Sequence, residues 1–335
     1  MKTTGTLLFL LLIALLPATT TAALREAREV HYQMGTYLEV TVWHDEPETA
    51  KRLIRDAVRE VHRLDEILSN YDPDSALSHL NRRAGAGVMR VPAELFALLT
   101  AAREFSEKTG GIFDVTVGPL MELWQRAAAN NRLPSEKQVA QTLATVGYRN
   151  LALRRPDEVE LARSGMSVDL GGIGKGYAVD RVTEIFRIAG VTAALINFGS
   201  SSMSAIGAPP GKHDWEIAVQ DTDNRLRGAI HLRDAALSTS SSMGRWWTIG
   251  GKKYGHLIHP MSGAPITEAR TAIVISRSAT QAEALTKPLV LLGKSALPTI
   301  EKFPRAQAVV LPASGAPAFS RQFSSRSSWK EISQQ

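Results

Sequence analysis

Leu53, Ile54, Ala57, Val58, Val61, Leu64 and Leu68 recur at steps of three and four residues after Pro47, the spacing that lines one face of an α-helix. A second helix is predicted from about Pro92 to Lys108, where Gly110-Gly111 stops it, and Ser135 with Gln138 forms the capping box of another. Met34, Thr36, Leu38, Val40 and Val42 alternate with more polar neighbours, the two-residue period of a half-buried strand. Strand signals dominate from Leu151 on. "LALRRPDEVELA" reads as a hairpin around Pro156-Asp157, and Met166–Leu170 as a short strand entering a glycine-rich loop. That loop opens a helix near Ile173, carried by Val179, Val182, Ile185 and Phe186. Further strands are predicted at Ala193–Phe198, Trp215–Val219, Ala229–Leu232, Thr271–Ser276 and Ala306–Leu311, with Gly199–Gly211 as a small-residue loop. A helix from about Ala279 to Leu292 contains Pro288, which requires a kink or a late start. Strands and helices without a regular βαβ rhythm define an α+β chain rather than a doubly wound sheet.

The first residues break this pattern. Lys2, an apolar run from Leu7 to Leu16 and a small-residue stretch ending at Ala22 have the layout of a secretory signal, and the run is too short to span a bilayer as a helix. Residues 1–22 are therefore expected to be a signal peptide, 23–312 one globular domain, and 313–335 a Ser-rich tail that is surface-bound or partly disordered; an uncleaved anchor is the alternative for the first segment. The expected location is exported and periplasmic. The sequence contains no cysteine, which excludes disulfides, thiolate chemistry and a lipid-modified cysteine. The net charge is +6, but lysines and arginines are interspersed with acids, so no basic stripe for nucleic acid emerges.

Four stretches have candidate chemistry. "SVDLGGIGKGYAVDR", Ser167–Arg181, fits neither a P-loop nor a dinucleotide fingerprint, because Gly176 follows Lys175 and Tyr177 stands where a third glycine is needed. Its glycines and helix start suit an anion; Lys175 adds positive charge, and Asp169 and Asp180 offer acceptors. A tight structural turn fits the stretch equally well. "GGIFDVTVGPL" sets Phe113 beside Asp114 at a turn, suited to a planar heterocycle or to a packed corner. "YGHLIHPMSG" spaces His256 and His259 three apart, suited to a base or to plain hydrogen bonding, with no third ligand at zinc spacing. Glu283 and Lys287 stand four apart on one helical face, the arrangement of an ion pair.

The order of these motifs, with Met34-Gly-Thr, Ser69-x-Tyr71-x-x-x-Ser75, Asn81 and Ile196-Asn-Phe-Gly199 between and around them, resembles the ApbE-type flavin transferases, the FAD:protein FMN transferases, over nearly the whole chain after the signal. The resemblance implies an α+β fold of mixed sheets and packed helices, related to the tunnelling fold, in a single large domain. It implies that FAD is bound with Mg²⁺ on its pyrophosphate, that a threonine or serine hydroxyl of an acceptor protein attacks the FMN phosphorus, and that AMP leaves. The acceptor would be a redox protein, membrane-bound or periplasmic. By the same resemblance, Met34, Tyr71, Ile112, Phe113, Asp114, Asp169, Lys175, Leu257 and Thr286 contact FAD. His256 is the base or the group that orients the hydroxyl, and the Gly172 carbonyl and Glu283 hold the metal; Lys287 joins His256 as a catalytic candidate on its own position, not by the resemblance. The family has Asp and Thr where this chain has Glu283 and Lys287, and an ammonium cannot ligate a cation. Two other readings therefore stay open: a flavin-binding protein without transferase activity, and a pyrophosphatase releasing AMP and FMN.

Overall fold

The computed structural model describes residues 23–242, 244–323 and 329–331. The expected signal segment lies outside the described residues. The framework is an eight-stranded antiparallel sheet whose spatial order follows the chain: β1 (Arg25–Gln33), β2 (Thr36–His44), β3 (Ala193–Phe198), β4 (Ser202–Ile206), β5 (Ala235–Ser241), β6 (Arg270–Ser276), β7 (Gln307–Pro312) and β8 (Ala318–Phe319). Three helices lie on one face: α1 (Pro47–Leu68) against β1 and β2, α2 (Gly174–Ile188) against β3 and β4, and α3 (Ala279–Leu292) against β5 and β6. A three-stranded sheet of Trp215–Gln220, Leu226–Leu232 and Trp329–Glu331 covers the other face.

The burial pattern follows from the sequence periods. Leu53, Ile54, Ala57, Val61, Leu64 and Leu68 of α1 are buried against Leu38, Val40 and Val42 of β2. Burying one such side chain contributes roughly 1.5–3 kcal/mol, several times what intrinsic propensity gives, so the apolar face decides the helix. The β6 run is apolar throughout because both of its faces are covered. Ala272 and Val274 point to the helices, and Ile273 and Ile275 to the small sheet. The Ser135–Gln138 capping box forms as read, and the Pro156 hairpin pairs Leu151–Arg154 with Glu158–Leu161.

Several expectations are corrected. Met34 is not in a strand: with Gly35 it makes a hairpin turn at positive φ (45° and 73°) between β1 and β2, and β1 itself is a mostly polar edge strand. Met166–Leu170 joins no sheet. The Asn81 side-chain amide imitates a neighbouring strand there, donating to the Val168 carbonyl (3.0 Å) and accepting from its N–H (2.8 Å). The small residues after Gly199 include β4, whose five positions are all buried. Helix α3 does not start late, and Pro288 is buried inside it. The segment from Ala313 on supplies edge strands to two sheets, and Phe319 packs on Phe323 and Trp329.

Candidate functional site

A cavity of about 700 Å³ opens where the Met34–Gly35 turn, the loop after α1, the Ile112–Val117 turn, the glycine loop, the end of β5 and His256–Pro260 converge. Its volume is in the range of small-molecule and cofactor sites. Of the residues singled out from sequence, Met34, Tyr71, Ile112, Phe113, Asp114, Asp169, Gly172, Lys175, His256, Leu257, Glu283 and Lys287 all line it. Thr286 does not. It is wholly buried one residue along the helix, its hydroxyl donating to the Glu283 carbonyl (2.7 Å) and bonded to the Ser240 hydroxyl (2.7 Å). It meets the site through two lining side chains, the Ser240 hydroxyl and the Lys287 ammonium, the latter at 3.2 Å.

Two aromatic side chains line the cavity. Phe113 is buried edge-on to Phe105, and Tyr71 stands 90% exposed at the rim. The Asp114 carboxylate is spent on the protein, accepting from the Thr116 N–H (2.8 Å) and hydroxyl (2.7 Å) and from the Tyr148 N–H (2.8 Å). Burial pushes it above the ordinary carboxylate range despite these donors. Asp114 thus holds the turn together while it and Phe113 both face the cavity, which leaves both alternatives compatible with the geometry. Asp169 is also raised by burial; it accepts from the Gly171 N–H (2.7 Å) and so shapes the glycine loop.

His256 follows a hairpin of Trp246–Ile249 and Lys252–Gly255 turned by Gly250-Gly251. Its Nδ1 lies 3.0 Å from the Arg245 carbonyl, which also accepts the His256 backbone N–H (3.1 Å). A carbonyl only accepts, so Nδ1 carries the proton and Nε2 keeps its lone pair. Burial, with the charges of Lys287 and Arg245, holds the imidazole below the usual histidine range, in its neutral form. His259 does not join it: its Nδ1 accepts from the Ser262 N–H (3.3 Å) at the next turn.

A charged group of side chains lines the cavity beside the aromatic rings: a Cβ at Gly172 would lie 3.2 Å from Lys287 Cε and 3.8 Å from Phe113 Cε2. Glu283 is 1% exposed; Oε1 pairs with Lys175 Nζ (3.0 Å), and Oε2 accepts the Gly176 N–H (2.6 Å). Burial opposes ionisation, but Lys175, Lys287 and the Gly176 amide outweigh it and hold the carboxyl below the ordinary range. Lys287 does not pair with this carboxylate, contrary to the four-residue spacing. Its Nζ donates to the Ser240 hydroxyl (3.0 Å) and to the Glu283 backbone carbonyl (3.2 Å). Burial lowers its pKa to about 8.

These residues do not fit Mg²⁺. The ion requires near-octahedral oxygens at roughly 2.0–2.1 Å, whereas both Glu283 oxygens already hold donors. No cluster of three His, Asp or Glu side chains suited to a metal occurs among the described residues. An ammonium about 4 Å from the ion repels it by roughly 4 kcal/mol per unit charge at an effective dielectric of ~20.

Helices α2 and α3 hold the charged group in register. Asp180, an expected ligand acceptor, instead caps α3: it accepts from the Ser278 and Thr280 hydroxyls (2.6 Å each) and from the Ala279 (2.7 Å) and Thr280 (2.9 Å) N–H groups. Gly176 permits the close approach, since a Cβ there would lie 2.6 Å from the Ala279 carbonyl carbon and 2.8 Å from the Thr280 nitrogen. Gly176→Ala is expected to cost about 1–3 kcal/mol by forcing the helices apart. Urea denaturation checks this; an unchanged midpoint would mean the helices separate freely.

Asn70, Asp65 and Arg245 also line the cavity and are not among the residues singled out from sequence. Asp65 left a trace, as a carboxylate four residues after Val61 and three before Leu68, inside the apolar stripe of α1. Arg245 left none.

The α+β scaffold thus holds a cleft lined by aromatic rings, two lysines with one buried carboxylate, and a neutral histidine, the features of a small-molecule site suited to an anionic ligand that carries a flat ring. The chain belongs to the ApbE family, whose model matches residues 34–310. It is 28% identical over 313 residues to an FAD:protein FMN transferase of Treponema pallidum, covering 87% of this chain and 85% of that one. It is 29% identical over 290 residues to one of Salmonella typhimurium, covering 83% and 81%. The solved ApbE protein of Thermotoga maritima superposes with a TM-score of 0.80 at 28% identity, over 89% of this chain and 97% of that one.

Proposed function

We propose that this chain is an FAD:protein FMN transferase, an enzyme that moves FMN from FAD to a threonine or serine hydroxyl of an acceptor protein. The observation that carries the reading is the neutral His256, with Nε2 unprotonated, in one cavity with two lysines and an aromatic wall. The hydroxyl oxygen of the acceptor bonds to the FMN phosphorus as the bond from that phosphorus to the bridging oxygen breaks. AMP leaves with the electron pair, and His256 Nε2 takes the hydroxyl proton. Lys175 and Lys287 bring positive charge to the phosphates, the main demand of phosphoryl transfer. The layout of residues 1–22 supports export to the periplasm, and with it an acceptor that is periplasmic or attached to the membrane.

Incubating the full chain with FAD and an acceptor domain should give a fluorescent acceptor band on a denaturing gel and one AMP per label. AMP with free FMN and no label would establish the pyrophosphatase instead. FAD binding without AMP, across acceptors labelled by a T. pallidum-type relative, would leave a flavin binder.

A further inference from the structure

We infer that the Lys287 ammonium is a tethered cation that stands in for a divalent metal on the diphosphate of FAD, so that this chain binds FAD without metal. The inference rests on the reading of the cavity as an FAD site. Three observations converge on it. First, the charged side chains are two ammonium groups and one carboxylate, and the carboxylate is committed to Lys175 and the Gly176 N–H. Second, the polar partners of Lys287 are neutral oxygens, those of Ser240, Thr286 and the Glu283 backbone, and no ion pair among the described residues includes it. No carboxylate among the described residues bonds to it directly, although Glu283 attracts it through space, so an anion entering this concave site supplies a partner that the ammonium lacks. Third, its stem lies across the glycine loop: a Cβ at Gly172 would come 3.2 Å from Lys287 Cε. The missing side chain at Gly172 thus lets the lysine occupy the wall where a metal held by Glu283 would sit. A diphosphate entering there meets the unpaired Lys287 ammonium directly, with Lys175 beside it in its pair with Glu283, so part of the positive charge that a divalent ion would bring is already fixed in the wall.

The test is FAD binding by the purified full chain, followed by quenching of flavin fluorescence in EDTA and in excess Mg²⁺. The expected result is the same FAD affinity, within about twofold, in both. Lys287→Met should weaken FAD at least tenfold in EDTA while leaving riboflavin, which has no phosphate, bound as before; retained riboflavin binding also certifies the fold. The double variant Glu283→Asp, Lys287→Thr should bind FAD only with Mg²⁺. Wild-type binding that requires Mg²⁺ would overturn the inference and leave the FAD reading standing. So would a Lys287→Met protein that binds FAD normally in EDTA. Riboflavin binding without FAD binding under either condition would overturn the FAD reading itself. Should Lys287→Met fail to fold, the wild-type comparison of EDTA with Mg²⁺ decides alone.

Discussion

Replacing His256 by alanine is expected to lower FMN transfer by about 10²–10⁴-fold, the usual contribution of a general base, and to change FAD affinity little. The expectation follows from the hydrogen bond between Nδ1 and the Arg245 carbonyl, which leaves Nε2 as the only basic atom of the ring. Because burial holds the imidazole below its ordinary value of 6.5, the base form persists as pH falls through that value. The acid limb of the transfer rate should therefore lie below pH 6.5. Single-turnover transfer at saturating FAD, measured from pH 5 to 8, separates this from a binding defect. A variant with near-normal turnover, or an acid limb above 6.5, would remove His256 from the proton transfer.

Glu283→Gln should destabilise the fold by about 3 kcal/mol at neutral pH, the low end of the cost of breaking a buried ion pair. The low end applies because Lys175 is 24% exposed and can turn to water. The glutamine also presents an N–H₂ where Lys175 or the Gly176 amide needs an acceptor. The sign with pH follows from the lowered carboxyl: its stabilisation is complete above the unfolded value of about 4.5 and is lost as pH falls through the folded value. The gap between wild type and variant in urea denaturation should thus be widest at neutral pH and close under acid. A gap independent of pH would mean the loss is one of packing rather than charge.

The parts legible in the sequence were those where one physical effect dominates. The stripe of α1 and the double-faced run of β6 each answer to burial alone, and both were read directly. The failures have distinct causes. Strand β1, "REAREVHYQ", is an edge with little apolar content, so its pairing to β2 gives no hydrophobic signal. Met166–Leu170 looked like a strand because its apolar residues are buried, yet its partner is one asparagine side chain. At the site, all the residues assigned to it from motif order except Thr286 line the cavity, but the chemistry of each depends on contacts remote in sequence. Asp114 and Asp180 have the types expected of ligand acceptors and are consumed by turns and caps. Glu283 lies four residues from one lysine and bonds to another more than a hundred residues away. Helical spacing alone gives no access to that choice.

The chain order of the sheet has a consequence for synthesis. Everything between His44 of β2 and Ala193 of β3 is one excursion that leaves the sheet and returns beside the strand it left. Growth from the N-terminus therefore makes the aromatic wall early, with Tyr71 and Phe113, and the charged group last, when Ala279–Leu292 delivers Glu283 and Lys287. Such long-range closure slows folding and keeps apolar surface uncovered meanwhile. A nascent chain halted before Ala279 has Lys175 but neither Glu283 nor Lys287, so the charged group of the cavity is complete only when the final third of the polypeptide has packed onto what precedes it.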